Sequence, residues 1–476
     1  MTDKRNLTML MDFYELTMGN GYLENGMGDT IVYFDMFFRR VPENGGYAIF
    51  AGLEQVIDYI ESIKFTDSDI DFLRSKKIFC EDFLDYLKDF KFSCDVWAVP
   101  EGTPIFPNEP LVTVRGPVIQ VQLIETMLLL ILNHQSLIAT KASRIVRAAQ
   151  GRPVMEFGSR RAQGADGAAY IGGCAGTACT ITDREFSVPA MGTMAHSWVQ
   201  LFPSEIEAFR AYAECYPDNC VLLVDTYNVL KSGVPNAIKV FEELDKRGYH
   251  NGGIRIDSGD IAYLSKKARK MLDEAGLTGH KIVASNSLDE YLIRDLLVQG
   301  ATLDSFGVGE RLVTSKAEPV FGGVYKLTAV EEDGKIVPRI KLSENAVKIT
   351  NPGFKKPVRL FCKNTGKALA DVILLADESI DESKPYEIFD PEFTYKKKTL
   401  KDFSVEELQK PVFVNGKCVY KKFSIDEIRD YCDSELSKIW DEVKRFENPH
   451  KYYVDLSADL WTLKQDMLNR YFKELS

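Results

Sequence analysis

The sequence predicts an α/β protein whose central region forms either a barrel or a doubly wound parallel sheet. Three observations carry that expectation. Short apolar runs recur through the middle of the chain, and each stops at a polar or glycine-bearing turn. Helical spacing then follows, clearest in Ile261, Leu264, Ala268 and Leu272. Carboxylates and arginines gather at these turns, where parallel α/β proteins carry their chemistry.

Residues 1–132 read as an N-terminal α+β domain. A helix is expected near 12–24, a strand at 30–38, a turn at 42–46 and two helices across 53–91. The stretch 94–114 is strand-rich and punctuated by Pro100, Gly102, Pro104, Pro107 and Pro110. Residues 118–132 are the most hydrophobic segment, but Gln120, Gln122 and Glu125 interrupt them. The segment is too short to span a bilayer, so a buried helix is expected.

Residues 133–329 hold the barrel candidate. Val154-Met-Glu-Phe ends in Gly158-Ser-Arg160-Arg161, and Val188-Pro-Ala-Met ends in Gly192-Thr193-Met-Ala-His196. Cys220-Val-Leu-Leu-Val runs into Asp225-Thr-Tyr-Asn. Ile254 and Ile256 flank Arg255 and lead into Asp257, Ser258, Gly259 and Asp260. Lys281-Ile-Val-Ala meets Ser285-Asn286-Ser287 before a helix over roughly 288–299, and Leu303-Asp-Ser-Phe meets Gly307-Val-Gly309-Glu-Arg311. Asp260 also stands where a helix N-cap would be.

Residues 330–476 change in texture. Turn-rich polar stretches separate short strands, and an amphipathic helix spans roughly 460–475. The lysine runs at 396–398 and 421–422 read as solvated faces.

Composition narrows the function. The 476 residues are 45% hydrophobic and 27% charged, the balance of a soluble globular protein. A net charge of -11 argues against nucleic acid as a main partner, while leaving room for small anions at a local basic cluster. Nine scattered cysteines fit a reducing cytosol. The pairs Cys174/Cys179 and Cys215/Cys220 have no histidine close by, which favours buried thiols over metal ligands. Lys4 and Arg5 are followed by Asp12 and Glu15 rather than an apolar core, so no signal peptide is read there. A cytoplasmic protein without a membrane partner is expected.

The turns suggest phosphate chemistry. Ser285–Ser287 and Gly307–Gly309 end the later strands, and small residues let backbone amides approach phosphate oxygens. The guanidinium forks of Arg39, Arg40, Arg160 and Arg161 match such oxygens. Asp225, Asp257 and Asp260 supply carboxylates at the same ends.

Several blocks together resemble one family. They are Asp12-Phe-Tyr-Glu-Leu-Thr-Met18, Phe37-Phe-Arg-Arg40, Glu156-Phe-Gly-Ser-Arg-Arg-Ala-Gln-Gly-Ala-Asp-Gly167 and Gly192-Thr-Met-Ala-His-Ser197. Asp225-Thr-Tyr-Asn228, Arg255-Ile-Asp-Ser-Gly-Asp260, Ser285-Asn286, Gly307-Val-Gly309 and Gly322-Gly-Val-Tyr-Lys326 continue the series. In this order, over roughly residues 10–330, the sequence resembles the nicotinate phosphoribosyltransferases, among the type II phosphoribosyltransferases.

The resemblance implies an irregular TIM-like α/β barrel and an ATP-dependent, ligase-type condensation of nicotinate with phosphoribosyl pyrophosphate, a salvage entry to NAD. It implies His196, Asp257 and Asp225 as catalytic groups, with His196 phosphorylated by ATP. It implies Tyr14, Phe157, Thr193 and Arg255 around nicotinate. Arg39, Arg40, Arg160, Asp260, Ser285, Asn286, Gly307, Gly309 and Thr314 are implied around phosphoribosyl pyrophosphate. Mg²⁺ is expected with that substrate and with ATP, and a homodimer with shared active sites is expected. Zinc is not carried over, because the tail holds only Cys362, Cys418 and Cys432. Nicotinamide and quinolinate phosphoribosyltransferases are the nearest alternatives; a phosphate-binding barrel lyase or isomerase, or an inactive sensor of phosphoribosyl pyrophosphate, stands further off. The run Val221-Leu-Leu-Val-Asp225-Thr226 faintly echoes type I phosphoribosyltransferases but lacks their paired acids.

Overall fold

The computed structural model describes residues 6–164, 167–345 and 348–475, the last four by backbone alone. Lys4, Arg5, Ala165 and Asp166 therefore lie outside the described residues. The chain divides into two compact units, Ile138–Pro319 and Thr2–Leu137 with Val320–Ser476.

Six parallel strands form the sheet of the first unit. Their order across the sheet is Gly176–Thr177, Val154–Glu156, Ser305–Val308, Lys281–Ala284, Gly252–Ile256 and Cys220–Leu223. Register keeps the carboxyl ends together: Leu223 pairs with Arg255, Ile256 with Ala284, Ala284 with Phe306 and Val308 with Glu156. The strands are short apolar runs because the sheet interior is dry. Leu222, Leu223, Ile254, Ile256, Ile282, Phe306 and Val308 are wholly buried.

Helices start where the sequence supplies caps. Asp260 accepts from the Tyr263 amide at 3.0 Å and opens the helix Ile261–Glu274. Asp289 accepts from the Leu292 amide at 2.9 Å and opens the helix Glu290–Val298. The Cys215/Cys220 pair straddles the end of the helix Glu205–Cys215 and the start of a strand.

One expected strand is corrected. Residues 188–191 contribute only an isolated bridge between Ala190 and Thr177, and the edge strand is Gly176–Thr177. Pro189 has no N–H to give a ladder; its carbonyl accepts from Thr177 at 3.0 Å instead.

The second unit holds a seven-stranded sheet. Its strand Ile31–Phe38 is buried beyond its first residue and lies between the antiparallel strands Val112–Pro117 and Gly323–Glu332. Three helices, Leu53–Ser62, Asp67–Ser75 and Glu81–Lys88, stand where two were expected, and they help fill its core. The apolar segment is also longer than expected. It breaks into Val118–Leu123 and Glu125–Ala148, a stretch apolar enough to cross a bilayer but largely buried inside the protein.

Tail strands Phe403–Glu407, Lys355–Cys362, Ala368–Leu375 and Val454–Leu456 make a further sheet. At its centre Arg359 and Asp371 form a fully buried fork of two hydrogen bonds, 2.8 and 2.7 Å.

Candidate active site

All six strands of the parallel sheet present their carboxyl ends along one edge, and a carboxylate ties every adjacent pair there. Asp225, past Cys220–Leu223, accepts from the Asp257 amide at 3.1 Å and the Ser258 hydroxyl at 2.6 Å. Asp257, past Gly252–Ile256, accepts from the Ser285 hydroxyl. Asp289, beyond Lys281–Ala284, accepts from Arg311 Nη1. Glu310, past Ser305–Val308, lies 3.1 Å from Arg161 Nε. Glu156, ending Val154–Glu156, accepts from the Thr177 hydroxyl at 2.5 Å and from the Gly158 amide. Each acid along this line thus meets its neighbour's loop, through hydrogen bonds at four of the five steps and the more exposed Arg161–Glu310 ion pair at the other.

His196 and Arg255 stand over the first part of this line. His196 opens the helix His196–Leu201, with Nδ1 3.1 Å from Thr226 Oγ1 and Nε2 3.9 Å from Asp257 Oδ2. Arg255 donates through Nη1 to Thr193 Oγ1, while its buried Nε has no hydrogen-bond partner among the described residues. Burial pulls its pKa below the usual guanidinium value, and the Asp257 and Asp225 charges oppose that shift. Asp225 Oδ1 is likewise buried without a partner among the described residues. An unpaired donor and an unpaired acceptor, both buried, are costly unless something binds them.

The loops expected to meet phosphate follow. Ser285 is buried, whereas Asn286 and Ser287 are exposed and adopt φ of 82° and 52°, which turns the backbone sharply after the strand. A Cβ on Gly307 would sit 2.4 Å from the Phe157 ring, so only glycine lets that ring lie against the strand end. Thr314, after the short helix Glu310–Val313, donates to the Glu310 carbonyl at 2.7 Å.

The structure therefore brings His196, Thr193, Arg255, Asp225, Asp257 and Ser285 into one cluster, with Phe157 against Gly307. Asp260 spends one oxygen on its helix. Arg160 is exposed beside Arg161. Tyr14, Arg39 and Arg40 belong to the other compact unit. There Tyr14 is half exposed in the helix Phe13–Glu24, Arg39 lies 5.4 Å from the Phe37 ring centroid, and Arg40 lies 3.4 Å from Asn44 Oδ1. Sequence reasoning assigned no role to Thr226, Ser258, Asp289, Arg311 or Glu310. Thr226 and Ser258 had a signal, since each directly follows an acid at a strand end.

Known proteins share this arrangement of segments. Residues 9–133 match the nicotinate phosphoribosyltransferase N-terminal domain, 153–365 the nicotinate phosphoribosyltransferase family and 354–464 the nicotinate phosphoribosyltransferase C-terminal domain. Nicotinate phosphoribosyltransferase of Bacillus subtilis is 43% identical over 470 residues, spanning 98% of this chain and 96% of that protein. The chain belongs to the nicotinate phosphoribosyltransferase family. It is an enzyme of that family, and a barrel lyase or isomerase is set aside. The human nicotinate phosphoribosyltransferase is 32% identical over 518 residues, covering 96% of this chain and 95% of that one. The crystal structure of human nicotinic acid phosphoribosyltransferase superposes with a TM-score of 0.85 at 30% identity, covering 96% of this chain and 99% of that chain. The structure of nicotinate-nucleotide pyrophosphorylase from Pyrococcus furiosus gives a TM-score of 0.70 at 25% identity, covering 92% and 97%. The family fold here is mixed α/β, with a parallel half-barrel sheet.

Proposed function

We propose that the chain condenses nicotinate with phosphoribosyl pyrophosphate to give nicotinate mononucleotide and pyrophosphate, a cytoplasmic salvage entry to NAD. The carrying observation is Arg255: a part-buried guanidinium bonded to Thr193 and left with a buried, unpaired Nε. A pyridine carboxylate supplies the missing acceptor, and Phe157 and Tyr14 supply aromatic faces for the ring.

In the reaction the pyridine nitrogen forms a bond to the anomeric carbon, while the bond to pyrophosphate breaks and its electron pair leaves with that group. Positive charge develops on the ribose, and Asp225 and Asp257 stand at strand ends to stabilise it. Asp260, Ser285, Asn286, Gly307, Gly309 and Thr314 line the phosphate side, with Arg160, Arg39 and Arg40 as its cations. Mg²⁺ arriving with the substrate suits the unpaired Asp225 oxygen and the neighbouring carboxylates, a hard-oxygen set. When bound, it neutralises charge on the departing pyrophosphate.

ATP couples to the reaction by phosphorylating His196, whose imidazole is oriented by Thr226. We read the parallel sheet as part of an irregular TIM-like barrel over residues 133–329, between the segments 1–132 and 330–476, and the working assembly as a homodimer in which Tyr14, Arg39 and Arg40 complete a neighbour's site.

The test is pyrophosphate release from phosphoribosyl pyrophosphate with nicotinate, nicotinamide or quinolinate, with and without ATP. Release stimulated by ATP and by nicotinate alone is expected. Preference for nicotinamide or quinolinate would replace the substrate assignment.

A further inference from the structure

The sequence reading assigns no role to Asp289 or to Arg311, yet they join the two loops read as phosphate-binding. Asp289 does two jobs: Oδ1 caps the helix Glu290–Val298 at Leu292, and Oδ2 accepts from Arg311 Nη1. The Asp289 side chain is only 15% exposed and that of Arg311 37%, so the acid end of the pair is the more firmly fixed one. Both ends of the pair are anchored in turn. Glu290, wholly buried, is gripped by Lys141 at 2.9 Å and Arg144 at 2.7 Å. Glu310, next to Arg311, lies 2.8 Å from Lys316 and 3.1 Å from Arg161.

Both loops need outside support. Asn286 and Ser287 are consecutive non-glycine residues with positive φ, a conformation that the chain does not hold unaided. The helix carrying Arg311 has four residues, too few to be stable alone. Arg311 meets its charge partner in Asp289 through Nη1, which joins the two loops, while its buried Nε has no hydrogen-bond partner among the described residues.

We propose that Asp289 and Arg311 are positioning residues: their ion pair fixes the spacing of loops 285–289 and 307–311, and so the grip on the phosphate end of phosphoribosyl pyrophosphate. The proposal rests on the substrate assignment above. Asp289→Asn keeps a capping acceptor and removes the charge, while Arg311→Gln removes the opposite charge.

In the purified full chain each single change should raise KM for phosphoribosyl pyrophosphate about tenfold, and the double change should add little, because one interaction is lost in all three. KM for nicotinate and kcat should stay within about twofold. Amide hydrogen exchange should quicken in both loops whichever residue is changed. Additive effects, an unchanged KM for phosphoribosyl pyrophosphate, or an equal rise for both substrates would overturn the proposal. Exchange confined to the loop bearing the mutation would also overturn it. An inactive wild type would instead sink the substrate assignment, and the exchange measurement would still test the clasp.

Discussion

His196 Nε2 lies 3.9 Å from Asp257 Oδ2, with Nδ1 3.1 Å from the Thr226 hydroxyl on the other side. The imidazole is thus oriented between loops that follow two adjacent strands, close to the carboxylate expected to face the ribose. A ring so placed suits phosphoryl transfer, since a neutral imidazole is a competent acceptor. With γ-phosphate-labelled ATP the wild type should take up acid-labile, base-stable label. His196→Ala should lose label, ATPase activity and ATP stimulation while retaining slow, uncoupled transfer. Equal labelling of both proteins, or acid-stable label, would show that the histidine is scaffolding.

Arg255→Ala should weaken nicotinate use by about 1.5–3 kcal/mol, the range for hydrogen bonds to charged groups. Phosphoribosyl pyrophosphate should be affected less, because the phosphate loops remain. Steady-state kinetics with each substrate varied in turn check this, and unchanged nicotinate kinetics would remove Arg255 from the pocket.

Tyr14 and Asp257 belong to different compact units of the chain. If neighbouring subunits share sites, Tyr14→Ala and Asp257→Ala proteins should each be nearly inactive, and mixing them should restore part of the activity through one intact site. Sedimentation and assay of the mixture read this out. A fully active monomer would end the shared-site idea.

Glu101 gives the second unit a pH dependence. It is buried, accepting from the Gly52 amide at 2.5 Å and the Glu54 amide at 3.3 Å, and burial raises its pKa from 4.5 to about 7 despite those bonds. Between these values the folded chain keeps a proton that the unfolded chain has lost. The associated stability is full below the unfolded pKa and disappears as pH rises through about 7. Urea unfolding should show wild-type stability falling from about pH 5 to about pH 8, with up to about 3 kcal/mol due to this residue. Glu101→Gln should flatten that fall. Glu15 and Asp455, which burial also raises to about 7, should leave some slope in both proteins. Identical slopes would clear Glu101 of the effect.

Asp371→Asn should cost about 3–5 kcal/mol in a urea titration, because it strands the buried Arg359 charge. Replacing both partners with apolar residues of similar volume should cost much less. A double variant as unstable as the single one would show that the pair stabilises the tail sheet outright.

The strand-to-loop steps at 154, 220, 254 and 281 were legible because each couples a β-rich apolar run to an abrupt polar turn. Arg255, Asp257 and Asp225 were legible for the same reason, since charge at the end of a buried strand has few structural uses. The edge strand Gly176–Thr177 was not, because two residues carry no periodicity and Thr177 is placed by Glu156 rather than by propensity. Asp289 and Arg311 were hidden too: an acid before a helix reads as a cap, and its second bond comes from the following strand's loop. The third helix before residue 91 was missed because the Thr66 capping box starts a new helix only four residues after the previous one ends.

The strand Ile31–Phe38 pairs on one side with Val112–Pro117 and on the other with Gly323–Glu332. A ribosome makes the first partner early and the second only after all of Ile138–Pro319 has emerged. For most of synthesis this apolar strand presents a bare edge, the feature that recruits foreign strands. Nascent chains are therefore most exposed to aggregation before the Gly323–Glu332 strand emerges, and the yield of folded enzyme depends on what shields that edge in the interval.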